Sequence, residues 1–339
     1  MTRLASAALL TGAGIALLTL STPAHASLVL TPAGVADGFT LTTFVSGYFA
    51  QYGPLAQGIA PNGNVITGSL IGTGIGGSVG PSIMVFKDVD GQTLSNALFS
   101  PSYACTTLNC NFAMTTAGGK VYGAQAQGGI YEQFNNDGTF SPIPNLAADG
   151  LRDNLGMWGD PVNGHIITTS NEGLVDIDPV AGTFRVINAS VFGDGVSVSP
   201  DGKIVYVEVL GEINAYDIAT GALLKTYATG SAPDGTGVIS GGKFNGDVVV
   251  NGNFGTVGLL DPTTGTFVLI ATGGSRGDFV SPDSNNGSLF LSQNEAVDRL
   301  ACSGCSFSGP PPTVPEPASF ALFGTALASL ILIRRRKAN

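Results

Sequence analysis

The segment Gly195-Val-Ser-Val-Ser-Pro-Asp-Gly-Lys-Ile-Val-Tyr-Val207 decides the fold class of this chain. An alternating apolar run meets a Pro-Asp-Gly turn and is followed by a second run rich in Val, Ile and Tyr. β-Branched and aromatic residues favour strands, and Pro, Asp and Gly end them, so the segment predicts two antiparallel strands joined by a tight turn. Two more strands are predicted around the Asp-x-x-Thr-Gly turn of Ile213-Asn-Ala-Tyr-Asp-Ile-Ala-Thr-Gly-Ala-Leu-Leu224.

This four-strand unit recurs through the middle of the chain. Its openings lie at Gly58, near Phe112, and at Gly156, Gly195, Gly237 and Gly277. The last four openings are separated by 39, 42 and 40 residues, and a period of about 40 residues with four strands is typical of a β-propeller blade. Helical repeats of similar length would need apolar residues at three- and four-residue spacing. The sequence therefore predicts an all-β, six-bladed propeller over residues 27–305.

The sixth unit is one strand short. It offers three candidate strands, at 278–280, 288–292 and 296–300, before a Pro-rich segment begins. The mature N-terminus supplies an alternating run, Gly38-Phe-Thr-Leu-Thr-Thr-Phe-Val-Ser46, which is predicted to be the missing strand. Closing the ring in this way removes the exposed sheet edges that promote aggregation.

Composition agrees with short strands and many turns, and it excludes several classes of protein. The 339 residues include 49 Gly and 19 Pro, while 43% are hydrophobic and only 11% are charged. A disordered chain needs low hydrophobicity with high charge, and collagen needs a Gly-X-Y period that this sequence lacks. Asp and Glu outnumber Lys and Arg by 24 to 14. This balance disfavours a nucleic-acid partner, because such binding needs a basic surface.

Residues 1–26 have the features of a secretory signal peptide. Arg3 precedes a mostly apolar run, and Ala24-His25-Ala26 supplies the small residues that signal peptidase requires. An uncleaved membrane anchor is the alternative, but the cleavage pattern follows the apolar run directly. We expect export across the inner membrane and a mature chain that begins near Ser27.

The C-terminal end is a second targeting segment. It consists of a Pro-rich linker at 306–313, then Val314-Pro315-Glu316-Pro317, an uncharged apolar stretch at 318–333, and the cations Arg334, Arg335, Arg336 and Lys337. About 17–25 apolar residues span a bilayer, so this stretch predicts a membrane helix that relies on flanking residues. The cations hold its end in the cytoplasm, which leaves the body outside. A buried core helix is the alternative, though four adjacent terminal charges are unusual for one.

This tail, residues 314–339, resembles the PEP-CTERM sorting signal of Gram-negative bacteria. Pro315-Glu316-Pro317 stands where that family has its tripeptide, and Arg334, Arg335 and Arg336 form the basic cluster. The resemblance implies processing by an exosortase, a membrane protease-transpeptidase, in a bacterium that makes exopolysaccharide. The expected location is the cell envelope or the extracellular space, with transient or permanent anchoring by the C-terminal helix.

The repeats of the body resemble NHL and gluconolactonase-like propellers, and the gluconolactonase-like members hold a divalent cation at one mouth of the central channel. Asp153, Asp194, Asp234 and Asp278 recur at or just before the predicted innermost strands, where they can line such a mouth. Carboxylates and backbone carbonyls suit Ca²⁺, so these four residues form a candidate cation or ligand site. The alternative is that Asp-Gly recurs because it makes tight turns.

The four cysteines fall into two local pairs, Cys105 with Cys110 and Cys302 with Cys305. In an exported chain an even number of closely paired cysteines favours disulfides. A zinc site with four cysteine ligands would require the two pairs to meet in space. A redox role for Cys302-Ser-Gly-Cys305 would require a helix after the motif, where a Pro-rich linker stands instead.

Two short motifs point to enzymes but lack the required context. Gly72-Thr-Gly-Ile-Gly-Gly77 would bind a dinucleotide only between a strand and a helix, and a strand-like run follows it. Gly273-Gly-Ser-Arg-Gly277 would be a nucleophile elbow only with a following helix and a histidine base. The mature chain has one histidine, His165, within the turn Asn163-Gly-His-Ile166. Both motifs are interpreted as loops, and no catalytic residue is assigned.

Three functions are compatible with the sequence. The propeller can bind glycan, protein or matrix without catalysis, or it can be a structural part of the exported matrix. The alternative is a divalent-cation-dependent lactonase or lyase that uses the acidic residues. Such an enzyme needs a tuned general base as well as metal ligands. A binding or scaffold role, with exopolysaccharide or envelope proteins as partners, is favoured.

Overall fold

The computed structural model of the 339-residue chain describes residues 27–48, 53–69, 83–101, 112–125 and 128–309. Four features of the sequence lie outside these residues: the signal peptide at 1–26, the Gly-rich motif at 72–77, the pair Cys105 and Cys110, and the sorting tail. Within the described part, no helix has the length and apolar character needed to cross a bilayer. The predicted membrane helix at 318–333 also lies outside that part.

The described residues form 25 strands and almost no helix. The first half of the chain contains β1 (Val29–Leu30), α1 (Pro32–Ala36), β2 (Phe39–Ser46), β3 (Pro54–Ile59), β4 (Val65–Ser69), β5 (Ile83–Phe86), β6 (Gln92–Thr93), β7 (Phe112–Ala117), β8 (Lys120–Gln125), β9 (Tyr131–Phe134), β10 (Phe140–Pro142), β11 (Asp153–Gly159) and β12 (Ile166–Ser170). The second half contains β13 (Gly173–Asp178), β14 (Thr183–Asn188), β15 (Val196–Val198), β16 (Ile204–Val209), β17 (Glu212–Asp217), β18 (Leu223–Tyr227), β19 (Pro233–Val238), β20 (Val248–Gly252), β21 (Thr256–Leu260), β22 (Phe267–Thr272), β23 (Gly277–Pro282), β24 (Leu289–Gln293) and β25 (Ala296–Cys302). Short 3₁₀ turns lie at Leu94–Asn96 and Gly242–Phe244.

These strands form six sheets arranged as the blades of a propeller. The blade strands are antiparallel, β1 extends the sheet of blade 5, and β6 pairs in parallel with β2. Blade 1 is β3–β5, blade 2 is β7–β10, blade 3 is β11–β14, blade 4 is β15–β18, blade 5 is β19–β22, and blade 6 is β23–β25 with β2. The first strand of each blade contacts the first strand of the next, and β23 contacts β3, so the innermost strands form a closed ring. The prediction of a six-bladed all-β propeller is confirmed. Blade 1 has three described strands, and Phe99 adds an isolated bridge to Val85.

The turns between third and fourth strands explain why the third strands of blades 3, 4 and 5 end where they do. Asp178, Asp217 and Asp261 each accept backbone N–H groups two or three residues ahead through the side chain. The glycine four residues after each aspartate has a positive φ, for example +80° at Gly265. Only glycine adopts that conformation without strain, so the Asp-x-x-x-Gly pattern fixes each turn locally.

The sixth blade is closed by the N-terminal strand, as predicted. β2 pairs with β25 in antiparallel register from Phe39 opposite Cys302 to Ser46 opposite Ala296. Phe44 of β2 is fully buried and packs against Phe86 of blade 1 and Phe290 of blade 6.

A buried cation reinforces the seam between the last blade and the first. The guanidinium of Arg299 lies over the Phe44 and Phe290 rings, 5.1 and 5.0 Å from their centroids. It pairs with Asp88, with Asp90 at 2.8 Å and with Asp283 at 3.1 Å. Asp88 and Asp90 follow the last described strand of blade 1, while Asp283 belongs to blade 6. The ion cluster therefore joins the two blades between which the ring closes.

We predict that Phe44→Ala lowers the free energy of unfolding by about 3–5 kcal/mol, because it empties a buried aromatic site at the closing seam. Thr40→Ala, on the same strand but exposed, should change it by less than about 0.5 kcal/mol. Urea unfolding of both variants measures the difference. Equal effects of the two substitutions would show that the N-terminal strand adds little to closure.

Candidate functional site

The two ends of the propeller are chemically different. All six innermost strands begin at the same end of the propeller. Because neighbouring strands in a blade are antiparallel, the loops between second and third strands lie at that end too. We call this end the acidic mouth, since it carries Asp153, Asp194, Asp234 and Asp278. We call the opposite end the turn mouth, because each first strand turns into the second there, as at residues 118–119 and 160–164.

A cavity of about 10 Å³ lies among the innermost strands, and its lining includes Ala56, Met114, Met157, Thr236 and Phe279. A space of this size holds about one water molecule.

Arg276 lies between two of the predicted aspartates. Its guanidinium donates to Asp278 and, at 3.0 Å, to Asp234. The side chains of Asp234 and Asp278 are only 2% and 6% exposed. The pKa of Asp278 is raised to about 7, chiefly by burial and also by the charge of Asp234, while Arg276 opposes both effects. The chain itself thus supplies a positive charge at the place where the sequence suggested a bound cation.

Asp194 joins the same group through Asp234. The two carboxyls hydrogen-bond to each other, and burial together with the charges of Asp234 and Asp278 raises the pKa of Asp194 well above its ordinary value. Burial also raises the pKa of Asp234, although Arg276 opposes that shift. Asp194 Oδ1 and Asp234 Oδ1 are buried without a donor from another residue. This arrangement fits a proton held between the two carboxyls, because adjacent carboxylates repel each other.

Asp153 is buried in a separate environment. It lies at the start of blade 3 and accepts at 3.4 Å from both the Tyr131 hydroxyl and the Thr168 hydroxyl. Burial raises its pKa well above the ordinary value, and the two hydroxyls oppose that shift. The structure therefore brings three of the four predicted aspartates together and leaves the fourth among neutral groups.

Several polar residues of this mouth were missed from the sequence. Glu208 is nearly buried, accepts from Gly211 N at 2.6 Å and has a pKa raised by burial. Asn251 donates to Asp278 O at 2.8 Å and accepts from Gln293 at 3.0 Å. Only Arg276 carried a usable signal, since it is a lone cation two residues before Asp278.

The recurrence of Asp-Gly has a different cause from the tight turn considered above. Gly195 and Gly235 follow Asp194 and Asp234, but neither has a positive φ. A Cβ on Gly195 would collide with Asp234 O, and one on Gly235 would collide with Asp278 O. These glycines let the backbones of adjacent innermost strands approach each other. The Asp-Gly pattern is therefore explained by close packing between adjacent blades.

The other motifs fall outside this group. Ser275 of the Gly-x-Ser-x-Gly segment accepts from Asn294 N at 2.9 Å in the loop before β23. His165 lies at the turn mouth, where its Nδ1 is 2.7 Å from Asp176 Oδ1. A serine–histidine pair is therefore not formed by these two residues. Among the described residues, no group of three or more His, Cys, Asp or Glu is arranged to hold a metal ion.

The turn mouth contains the larger cavity. Its volume is about 330 Å³, and its lining includes Trp158, Asn163, Pro200 and Ser284 from the turns and Phe307 from the end of the body. Cys302 and Cys305 form a disulfide just before Phe307. The residues 306–309 of the predicted linker thus lie against the propeller.

The tail was compared with known protein families. Residues 313–337 match the PEP-CTERM protein-sorting motif. This match confirms the resemblance seen in the sequence. The motif implies that the chain is exported and processed by an exosortase. The PEP-CTERM match covers only the tail, and no curated protein matches the chain in sequence.

The body was compared with solved structures. A gluconolactonase from Xanthomonas campestris shares the fold with a TM-score of 0.56 at 15% identity, over 81% of this chain and 94% of that one. An auxiliary nutrient binding protein from Bacteroides thetaiotaomicron shares it with a TM-score of 0.50 at 11% identity, over 78% and 76%. At such identities the likeness establishes the propeller fold alone, because one fold carries many functions.

We predict that the free energy of unfolding falls as the pH rises from about 5 to about 8. The carboxyls of Asp194, Asp234 and Asp278 have raised pKa values in the folded state. The folded protein therefore binds more protons than the unfolded chain in this range, and this stabilisation is lost as the pH passes the folded pKa. Asp194→Asn should make the decrease of the unfolding free energy with pH less steep, by on the order of 1 kcal/mol per pH unit.

Asp261→Asn is the matched control, because Asp261 is exposed and hydrogen bonds to Thr264 lower its pKa. It should leave the slope between about pH 5 and 8 unchanged. Denaturant melts at several pH values measure both variants. A wild-type stability that rises with pH would contradict the raised pKa values.

Proposed function

We propose that the chain is an envelope or matrix protein whose propeller binds or scaffolds exported components and whose tail is processed by an exosortase. The expected partners are exopolysaccharide or other envelope proteins in a bacterium that secretes polysaccharide. The observation that carries the proposal is the PEP-CTERM motif directly after a closed propeller.

The chemistry of the acidic mouth supports a binding role over a catalytic one. Asp234 and Asp278 are engaged with Arg276, and Asp194 is engaged with Asp234. Three large apolar side chains stand exposed in the loops of the same mouth, at Phe192, Leu210 and Phe254. Apolar surface is typical of interaction sites where it is contiguous and rimmed by polar groups.

The cation-dependent lactonase or lyase is the second candidate. It is favoured by Asp194 Oδ1 and Asp234 Oδ1, which are buried oxygens without a donor. The residues do not fit a calcium ion as they stand, because the Arg276 guanidinium is bonded to both Asp234 and Asp278. Calcium would have to displace that side chain, so calcium binding at this mouth is what the second candidate predicts and the first does not.

Thermal melts of the body in calcium and in chelator distinguish the two candidates. We expect no calcium response in the wild type, because Arg276 already neutralises the carboxylates. Arg276→Gln should melt lower and should gain a calcium-dependent rise, since anything that binds only the folded state stabilises it. A wild-type rise that Asp194→Asn with Asp234→Asn abolishes, together with lactone hydrolysis in calcium, would favour the enzyme.

We predict that replacing Arg334, Arg335 and Arg336 by Ser weakens membrane retention and processing of the full-length protein, because the cations fix the cytoplasmic end of the anchor. Replacing Pro315, Glu316 and Pro317 by Ala should block processing while leaving the body folded. Fractionation followed by mass measurement of the tail tests both changes. Unaltered retention and processing in both variants would refute the proposed sorting.

A further inference from the structure

The last described residues cross the turn mouth. We call residues 303–309 the strap. Ser306 pairs with Ser240 through two backbone hydrogen bonds of 2.6 and 2.8 Å, and Phe307 N donates to Gly287 O at 2.9 Å. The Phe307 side chain is 2% exposed and belongs to the main hydrophobic core.

The path of the strap runs from the edge of the propeller toward its axis. It leaves β25 in blade 6, pairs with the end of the innermost strand of blade 5 at Ser240, and reaches Pro161 of blade 3 at Gly309. Ser308 and Gly309 line the cavity at the centre of the turn mouth. The chain therefore departs toward its sorting tail from near the propeller axis.

The length of chain beyond the strap limits how the body can stand on a membrane. Eight residues, 310–317, lie between Gly309 and Ala318, where the predicted membrane helix begins, so nine Cα–Cα steps join the two. A fully extended chain advances about 3.6 Å per residue, so this segment spans at most roughly 30 Å whatever its conformation.

Turning the acidic mouth toward the membrane would need a longer tether. Strands lie about 4.8 Å apart, so four strands and the channel place the rim roughly 15–20 Å from the axis. A six-residue strand adds a height of about 20 Å. The path from the centre of the turn mouth, over the rim and down the side is therefore about 35–40 Å, which exceeds the reach of the tether.

We infer that the acidic mouth of the anchored protein does not face the lipid bilayer, and that the turn mouth is the nearer of the two to the membrane. This inference rests on the proposed anchoring by residues 318–333. The strap is the positioning element, because it fixes the point of departure on the axis. Partners outside the membrane then meet the acidic mouth with its exposed Phe192, Leu210 and Phe254.

The test compares one fluorescent label at each mouth. Val180 lies in a turn of blade 3 at the turn mouth and is 85% exposed, while Leu210 lies at the acidic mouth and is 97% exposed. The substitutions Val180→Cys and Leu210→Cys provide the two labelling sites. The full-length protein is produced without an exosortase and placed in vesicles of phosphatidylethanolamine and phosphatidylglycerol with nitroxide-labelled head groups. Unmutated protein, treated with the same dye, measures labelling of the native cysteines.

We expect several-fold stronger quenching at position 180 than at position 210. Equal quenching, or stronger quenching at 210, would overturn the inference while leaving the anchoring intact. Failure of the protein to float with the vesicles would instead overturn the proposed anchoring, and the inference with it.

A variant with a released strap completes the test. Cys302→Ser, Cys305→Ser and Phe307→Asp should free the seven residues of the strap and add about 25 Å to the tether. The difference in quenching between the two positions should then shrink, with thermal melts confirming that the body is folded. A difference that persists unchanged in a folded variant would refute the positioning role of the strap.

Discussion

The pairing of β2 with β25 is the contact on which the rest of the propeller depends. When the last sheet is completed by a strand from the other end of the chain, the pairing ties the two ends of the ring together. Residues 39–46 complete it here, and Phe44 and Arg299 fill the seam between blades 6 and 1. Because each innermost strand packs between two others, opening this seam would loosen the packing of all six blades.

Two partly buried arginines neutralise buried carboxylates in a strongly acidic body. Without Arg3, the four tail cations and Glu316, the chain retains 9 basic and 23 acidic residues, a net charge of −14. Arg276 at the acidic mouth and Arg299 at the seam each bind two or three buried or half-buried aspartates. Burying a carboxylate is costly unless it is paired or protonated, and this molecule uses both means.

The fold was predictable because its signals are local. Blades 3, 4 and 5 repeat the same turn residues, and counting the strands of blade 6 was enough to assign the closing strand. The candidate site was predictable only in part, because its contacts are distant in sequence. Arg276 and Asp234 are 42 residues apart, and Arg299 and Asp88 are 211 apart. The role of Gly195 was missed for a similar reason, since its proximity to Asp234 depends on how two blades approach.

Closure by the N-terminal strand also sets the order in which an exported chain can fold. Thr43 and Asp298, which bond across the closing pair, are 255 residues apart. In a chain translocated from its N-terminus, β2 reaches the outer side first and has no partner until β25 follows. Pairings of such long range form late and leave sheet edges exposed meanwhile. Only 10 residues separate the end of β25 at Cys302 from the start of the sorting motif at 313. The propeller therefore becomes able to close at almost the same moment as its membrane signal enters the translocation machinery.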